Sequence, residues 1–65
     1  MIYITRDFDR ADSAGAEGMF QVISVIYDGE DITDQEKVGK FYSSGEAVIK
    51  DYGFNPATTD WEYDD

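Results

Sequence analysis

The run from position 18 to 27, Gly18, Met19, Phe20, Gln21, Val22, Ile23, Ser24, Val25, Ile26 and Tyr27, constrains the fold more than any other stretch. β-Branched and aromatic residues dominate it, and those shapes suit a pleated surface. Asp28 and Gly29 follow at once and supply turn chemistry. At ~3.3 Å per residue the run makes a strand about 33 Å long. One face carries Phe20, Val22, Ser24 and Ile26, the other Met19, Gln21, Ile23, Val25 and Tyr27. Both are mostly apolar, which predicts a central strand that the rest of the chain is arranged to cover.

The flanking segments fill in that arrangement. Residues 1–8 alternate as a strand, with Ile2, Ile4 and Phe8 on one face and Tyr3, Thr5 and Asp7 on the other. Arg6 falls on the apolar face, which suggests that this face ends near Ile4. Residues 9–18 are small, polar and glycine-bearing and read as a mobile connection. Residues 28–36 read as an exposed loop. Residues 36–42 predict a third, weaker strand, with Gly39 marking a bulge. Next, Ser43 and Glu46 fit a capping box, and Val48, Ile49 and Tyr52 form an apolar helical stripe. Gly53 suits the left-handed position after that helix, Phe54 can fold back on it, and Pro56 prevents its continuation. Residues 58–63 predict a fourth strand, with Thr59, Trp61 and Tyr63 opposite Asp60, Glu62 and Asp64. The expected architecture is one α+β domain over residues 1–65: a four-stranded, mostly antiparallel sheet in βββαβ order, with one short helix on one face.

Absent residue types narrow the chemistry. With no cysteine and no histidine, disulfides, thiolate zinc sites and imidazole catalysis are excluded. No run approaches the ~20 apolar residues of a membrane span, and residues 1–6 lack the layout of a secretion signal. The expectation is a soluble cytoplasmic chain. Fifteen acidic and five basic residues give a formal net charge of −10. Disordered acidic tails lack aromatics, whereas one Trp, five Tyr and four Phe stand here, so the chain reads as folded. Such a charge favours a monomer and disfavours anionic membranes and nucleic acids as direct partners. Basic proteins are the expected partners.

Catalysis is not expected. Carboxylate pairs such as Asp7 with Asp9, or Asp60 with Glu62, need a pocket to split their pKa values, and so short a sheet has little room for one. They read as solvated surface acids. Calcium loops also fail. Counting from Asp7, Ala11 is fifth, Asp12 is sixth and Gly18 is twelfth; counting from Asp28, Ile32, Thr33 and Gly39 fill those places. An irregular calcium site at Asp28, Glu30, Asp31 and Asp34 stays open as an alternative, but neither a metal nor a cofactor is the primary expectation. The scattered glycines open no phosphate loop. Trp61 and Tyr63 would make a poor base-stacking platform between carboxylates.

The acids themselves are patterned. Asp28, Glu30, Asp31, Asp34 and Glu36 crowd one stretch without a basic residue, and Asp60, Glu62, Asp64 and Asp65 crowd the last. On a strand, carboxylates at i and i+2 stand ~6.6 Å apart on one face. Such a row resembles a row of phosphates, and a folded acidic protein can occupy a basic DNA-binding groove through the same ion-pair and counterion terms. These nine acids are therefore the candidate partner-binding residues, with Tyr27, Tyr42 or Tyr63 adding contact area. An acidic surface of the kind found in salt-rich cytoplasms fits the charge equally well.

In size, charge and texture, above all in residues 28–36 and 60–65, the chain resembles the very small DNA-mimic anti-CRISPR proteins of phages, which inhibit type I systems, type I-C among them. The resemblance spans the whole chain and carries over no individual residue. It implies an inhibitor that occupies a basic DNA-binding surface on a Cas subunit of the surveillance complex. The alternative is a small acidic interaction module (antitoxin-like, calcium-binding or salt-adapted) with a basic protein partner.

Overall fold

The chain reverses at Asp28 and Gly29, whose φ angles of 48° and 82° both lie in the left-handed region. A two-residue hairpin turn that matches the twist of its strands requires this. A computed structural model describes residues 1–13, 15 and 18–64. In chain order its elements are β1 (Ile2–Asp7), α1 (Asp9–Ser13), β2 (Gln21–Tyr27), β3 (Glu30–Asp31), α2 (Gly45–Asp51) and β4 (Trp61–Tyr63). The sheet order is β3-β2-β1-β4. β2 pairs antiparallel with both β1 and β3, whereas β4 pairs parallel with β1. The fold is α+β with the expected four-stranded, mostly antiparallel sheet; its single parallel pair, β1 with β4, makes that sheet mixed rather than fully antiparallel. A last strand that returns to β1 after a crossing helix runs in the same direction as β1.

Strand three is not where the sequence pattern put it. It is the two-residue arm Glu30–Asp31 of the hairpin, inside the expected loop. Residues 36–42, expected as a strand, instead form successive turns: Lys37 N–H donates to Asp34 C=O (2.9 Å) and Lys40 N–H to Lys37 C=O (3.1 Å). Of these residues Tyr42 makes an isolated bridge with Phe20, just ahead of β2, exchanging backbone hydrogen bonds at 2.8 and 2.9 Å. The expected connection also holds a helical turn, α1, which begins where the Asp7 carboxylate accepts the Asp9 N–H (3.0 Å).

A bulge occurs in β2, not at Gly39. Ile4 pairs with Val25 and Arg6 with Val22, so the register slips by one residue at Ile23. The slip turns Val22 and Val25 to the same face, beside Ile2 and Ile4, and leaves Ile23 54% exposed. The strand therefore has one well-buried apolar face, not two.

α2 covers that face. Ile2, Ile4, Phe20, Val22, Val25, Tyr42, Val48 and Ile49 form the core, with Tyr52, Phe54, Trp61 and Tyr63 packed against it. Burying a side chain of this size stabilises by about 1.5–3 kcal/mol. A seven-residue helix would not persist in water without such contacts. Its N-cap is Ser44, one residue later than expected, and the Ser44 hydroxyl accepts the Ala47 N–H (3.2 Å). Its C-terminal end follows the expectation. Gly53 takes φ 88°, its N–H bonds to Lys50 C=O and the Phe54 N–H bonds to Ile49 C=O, both at 3.1 Å.

Arg6 does not end the apolar face. Its guanidinium carbon sits 3.5 Å from the Tyr63 ring centroid and 5.0 and 5.8 Å from those of Phe8 and Phe20. The cation extends the core as a planar group stacked among aromatic rings.

Candidate partner-binding surface

Glu30 and Asp31 lie on one edge of the sheet and the acids of residues 60–64 on the other, because β3 and β4 are its outermost strands, whereas Asp34 sits beside Tyr52 at the end of α2. Register joins the two edges in one row: Glu62 pairs with Tyr3, Tyr3 with Ile26, and Ile26 with Asp31. Three inter-strand steps of ~4.8 Å put the ends of this row about 14 Å apart. Trp61, in register with Ile2, packs against the core, so Glu62 and Asp31 belong to the sheet face opposite α2. Tyr3 and Ile26, half-buried, lie between the acids and were not among the expected contact residues. The alternation in β1 carried a signal for Tyr3, since it opposes Ile2 and Ile4.

Along β4 the expected alternation of outward acids and inward aromatics is present. Ile2 N–H donates to Asp60 C=O and Asp64 N–H to Ile4 C=O, both at 2.9 Å, so the ladder runs past both ends of the strand. Asp60, Glu62 and Asp64 are thereby held on one face in steps of ~6.6 Å, and all three are exposed. Asp65 lies outside the described residues.

The other stretch is partly committed to its own folding. Asp28 Oδ1 meets the Met1 backbone amine at 3.0 Å. Asp31 accepts hydrogen bonds from the Thr33 hydroxyl and the Thr33 N–H, and these hold its carboxyl below the usual carboxylate range. The same Thr33 oxygen accepts the Val25 N–H (3.0 Å), which ties the acid to β2. Asp34 accepts the Glu36 N–H, and its own N–H donates to the Tyr52 hydroxyl, both at 3.0 Å. Glu30 and Glu36 are exposed. Asp28, Glu30, Asp31 and Asp34, the alternative irregular calcium site, do not converge: among the described residues no group of three or more acids is placed to hold a metal ion.

Positive charge collects on the α2 side. Asp51, the last residue of α2, meets Lys40 Nζ at 3.0 Å and Lys37 Nζ at 3.7 Å, and accepts the Tyr42 hydroxyl at 2.6 Å. Those bonds, from Tyr42 first and then Lys40, hold the Asp51 carboxyl below its ordinary range. Burial, reinforced by the Asp51 bond, pushes the Tyr42 phenol far up. Lys50 projects from the same helix. The sheet edges are thus anionic while these lysines lie on the helix side.

Of the tyrosines expected as contacts, Tyr42 is 4% exposed and belongs to the core. Tyr63 is half-buried and its hydroxyl accepts the Gly45 N–H (2.9 Å). Tyr27, 39% exposed, packs edge-on against Phe54 (5.1 Å between centroids) and remains open to a partner. An open hollow of about 530 Å³ beyond α2, lined by Lys50, Gly53, Phe54, Asn55 and Pro56, contains no acid–base pair. Among the described residues no helix is long and apolar enough to cross a membrane.

Comparison of the chain with protein-family models, curated proteins and solved structures finds no match.

Proposed function

We propose that this protein is an inhibitor that acts by occupancy, presenting DNA-like charge to the basic DNA-binding surface of another protein. The observation that carries the reading is the Asp60, Glu62 and Asp64 row: exposed carboxylates at regular spacing on a hydrogen-bonded ladder, with Lys37 and Lys40 drawn to the opposite side by Asp51. Charges carried on a strand lose little backbone freedom on binding, unlike those of a mobile tail. Glu62 and Asp31 frame Tyr3 and Ile26, which add apolar contact within the charged surface. The resemblance to small anti-CRISPR proteins supplies the target class: a Cas subunit of a type I surveillance complex in the bacterial cytoplasm. Blocking its DNA-binding surface would prevent target recognition.

Target-DNA binding by a purified type I complex, measured in the presence of this protein, tests the reading. Inhibition should weaken as salt rises, because ion pairs with exposed acids are screened. Replacing Asp60, Glu62 and Asp64 together by Lys should weaken inhibition far more than any single replacement. Full inhibition by the triple variant, or none by the native protein, would overturn the reading.

A further inference from the structure

β4 has a free edge. Its inward backbone groups bond to β1: the Asp60 C=O accepts from Ile2 and the Asp64 N–H donates to Ile4. By the alternation of a strand, the N–H and C=O of Trp61 and Tyr63 point the other way, and β4 is the outermost strand on that side of the sheet. The side chains beside this edge select what can pair there. Asp60, Glu62 and Asp64 are exposed on one face of it. A second copy of β4 would set these acids against their own kind, and like charges on directly opposed strands are destabilising. A strand with Lys or Arg at every second residue would instead place a cation opposite each acid while its backbone pairs with Trp61 and Tyr63.

We propose that the β4 edge receives an extended basic segment of the partner protein as a fifth strand. This rests on the reading of the partner as basic and adds main-chain pairing as the element that gives direction and register. Charge alone would hold a basic surface in many orientations; a strand edge admits few.

The probe is a short peptide of alternating Lys and Val. Its control is a depsipeptide with the same side chains and charge, in which ester oxygens replace the backbone N–H groups. With isotope-labelled protein, the amide peptide should slow hydrogen exchange at the Trp61 and Tyr63 amides at least tenfold. The depsipeptide should bind at least tenfold more weakly. Equal binding of the two, or unchanged exchange at Trp61 and Tyr63, would overturn the strand pairing and leave the charge reading standing. A dimer of the protein alone with those amides already protected would overturn it too. Conversely, paired peptide alongside full inhibition by the triple lysine variant would remove the occupancy reading and keep the edge.

Discussion

Gly45 abuts the six-membered ring of Trp61: a Cβ built on Gly45 would overlap Cζ3 and Cη2 of the indole. Gly45 is the first residue of α2, and Trp61 opens β4. Glycine in a helix costs about 1 kcal/mol relative to alanine. The contact explains its presence, because α2 could not lie this close to β4 with any side chain there. The Gly45 N–H donates to the Tyr63 hydroxyl, which fixes the same junction from the next inward-facing residue of β4.

Gly45→Ala should therefore destabilise the protein by about 1–3 kcal/mol, the usual cost of overfilling a packed site, despite the better helix propensity of alanine. Urea titration of the single variant, and of the same change in a Trp61→Leu background, checks the cause. The penalty should shrink once the indole is gone. An equal penalty in both backgrounds would mean that the ring is not what Gly45 accommodates.

Capping separates two adjacent serines. The Ser44 hydroxyl accepts the Ala47 N–H, whereas Ser43 is exposed and precedes the cap. Ser44→Ala should cost about 1 kcal/mol and Ser43→Ala close to nothing. Thermal melts of the two variants side by side decide it, and a larger loss at Ser43 would reinstate the capping box expected from sequence.

Asp51 and Tyr42 set opposite pH limits. The Asp51 carboxyl is held low in the fold by Tyr42 and Lys40, so its contribution is complete above its ordinary value of 3.8. It is lost as pH falls through the lower folded-state value. The melting temperature of Asp51→Asn should lie below that of the native protein at pH 7, and the gap should close as the pH drops below 3.8. Tyr42 is the mirror case. Its phenol is raised above the ordinary 10.0, so its contribution is complete below that pH and fades as the pH climbs beyond it. Tyr42→Phe should flatten the alkaline decline. A gap unchanged down to pH 2 would show that Asp51 carries no linked proton.

Local chemistry made several features legible in the sequence. Gly53 and Phe54 announced the end of α2, since a left-handed residue after an apolar stripe has few other uses. The alternation of Trp61 and Tyr63 with Asp60, Glu62 and Asp64 announced β4 and its exposed acidic row. Asp28 and Gly29 already carried the turn. Its second arm was obscured because Glu30 and Asp31 have the composition of a loop and pair through backbone alone.

What remained needed tertiary contacts. No local pattern says that Ile23 is the bulged residue; register against β1 decides it, by bringing both Val22 and Val25 inward. Nor does any local pattern stop residues 36–42 from forming a strand. They turn instead, with Lys37 and Lys40 reaching Asp51 on α2 and Gln21 Nε2 donating to Gly39 C=O at 2.8 Å. The amount of negative charge is a property of the sequence alone. Its division between two sheet edges, with lysines drawn to the helix side, comes from strand order and ion pairing, both of which depend on residues distant along the chain.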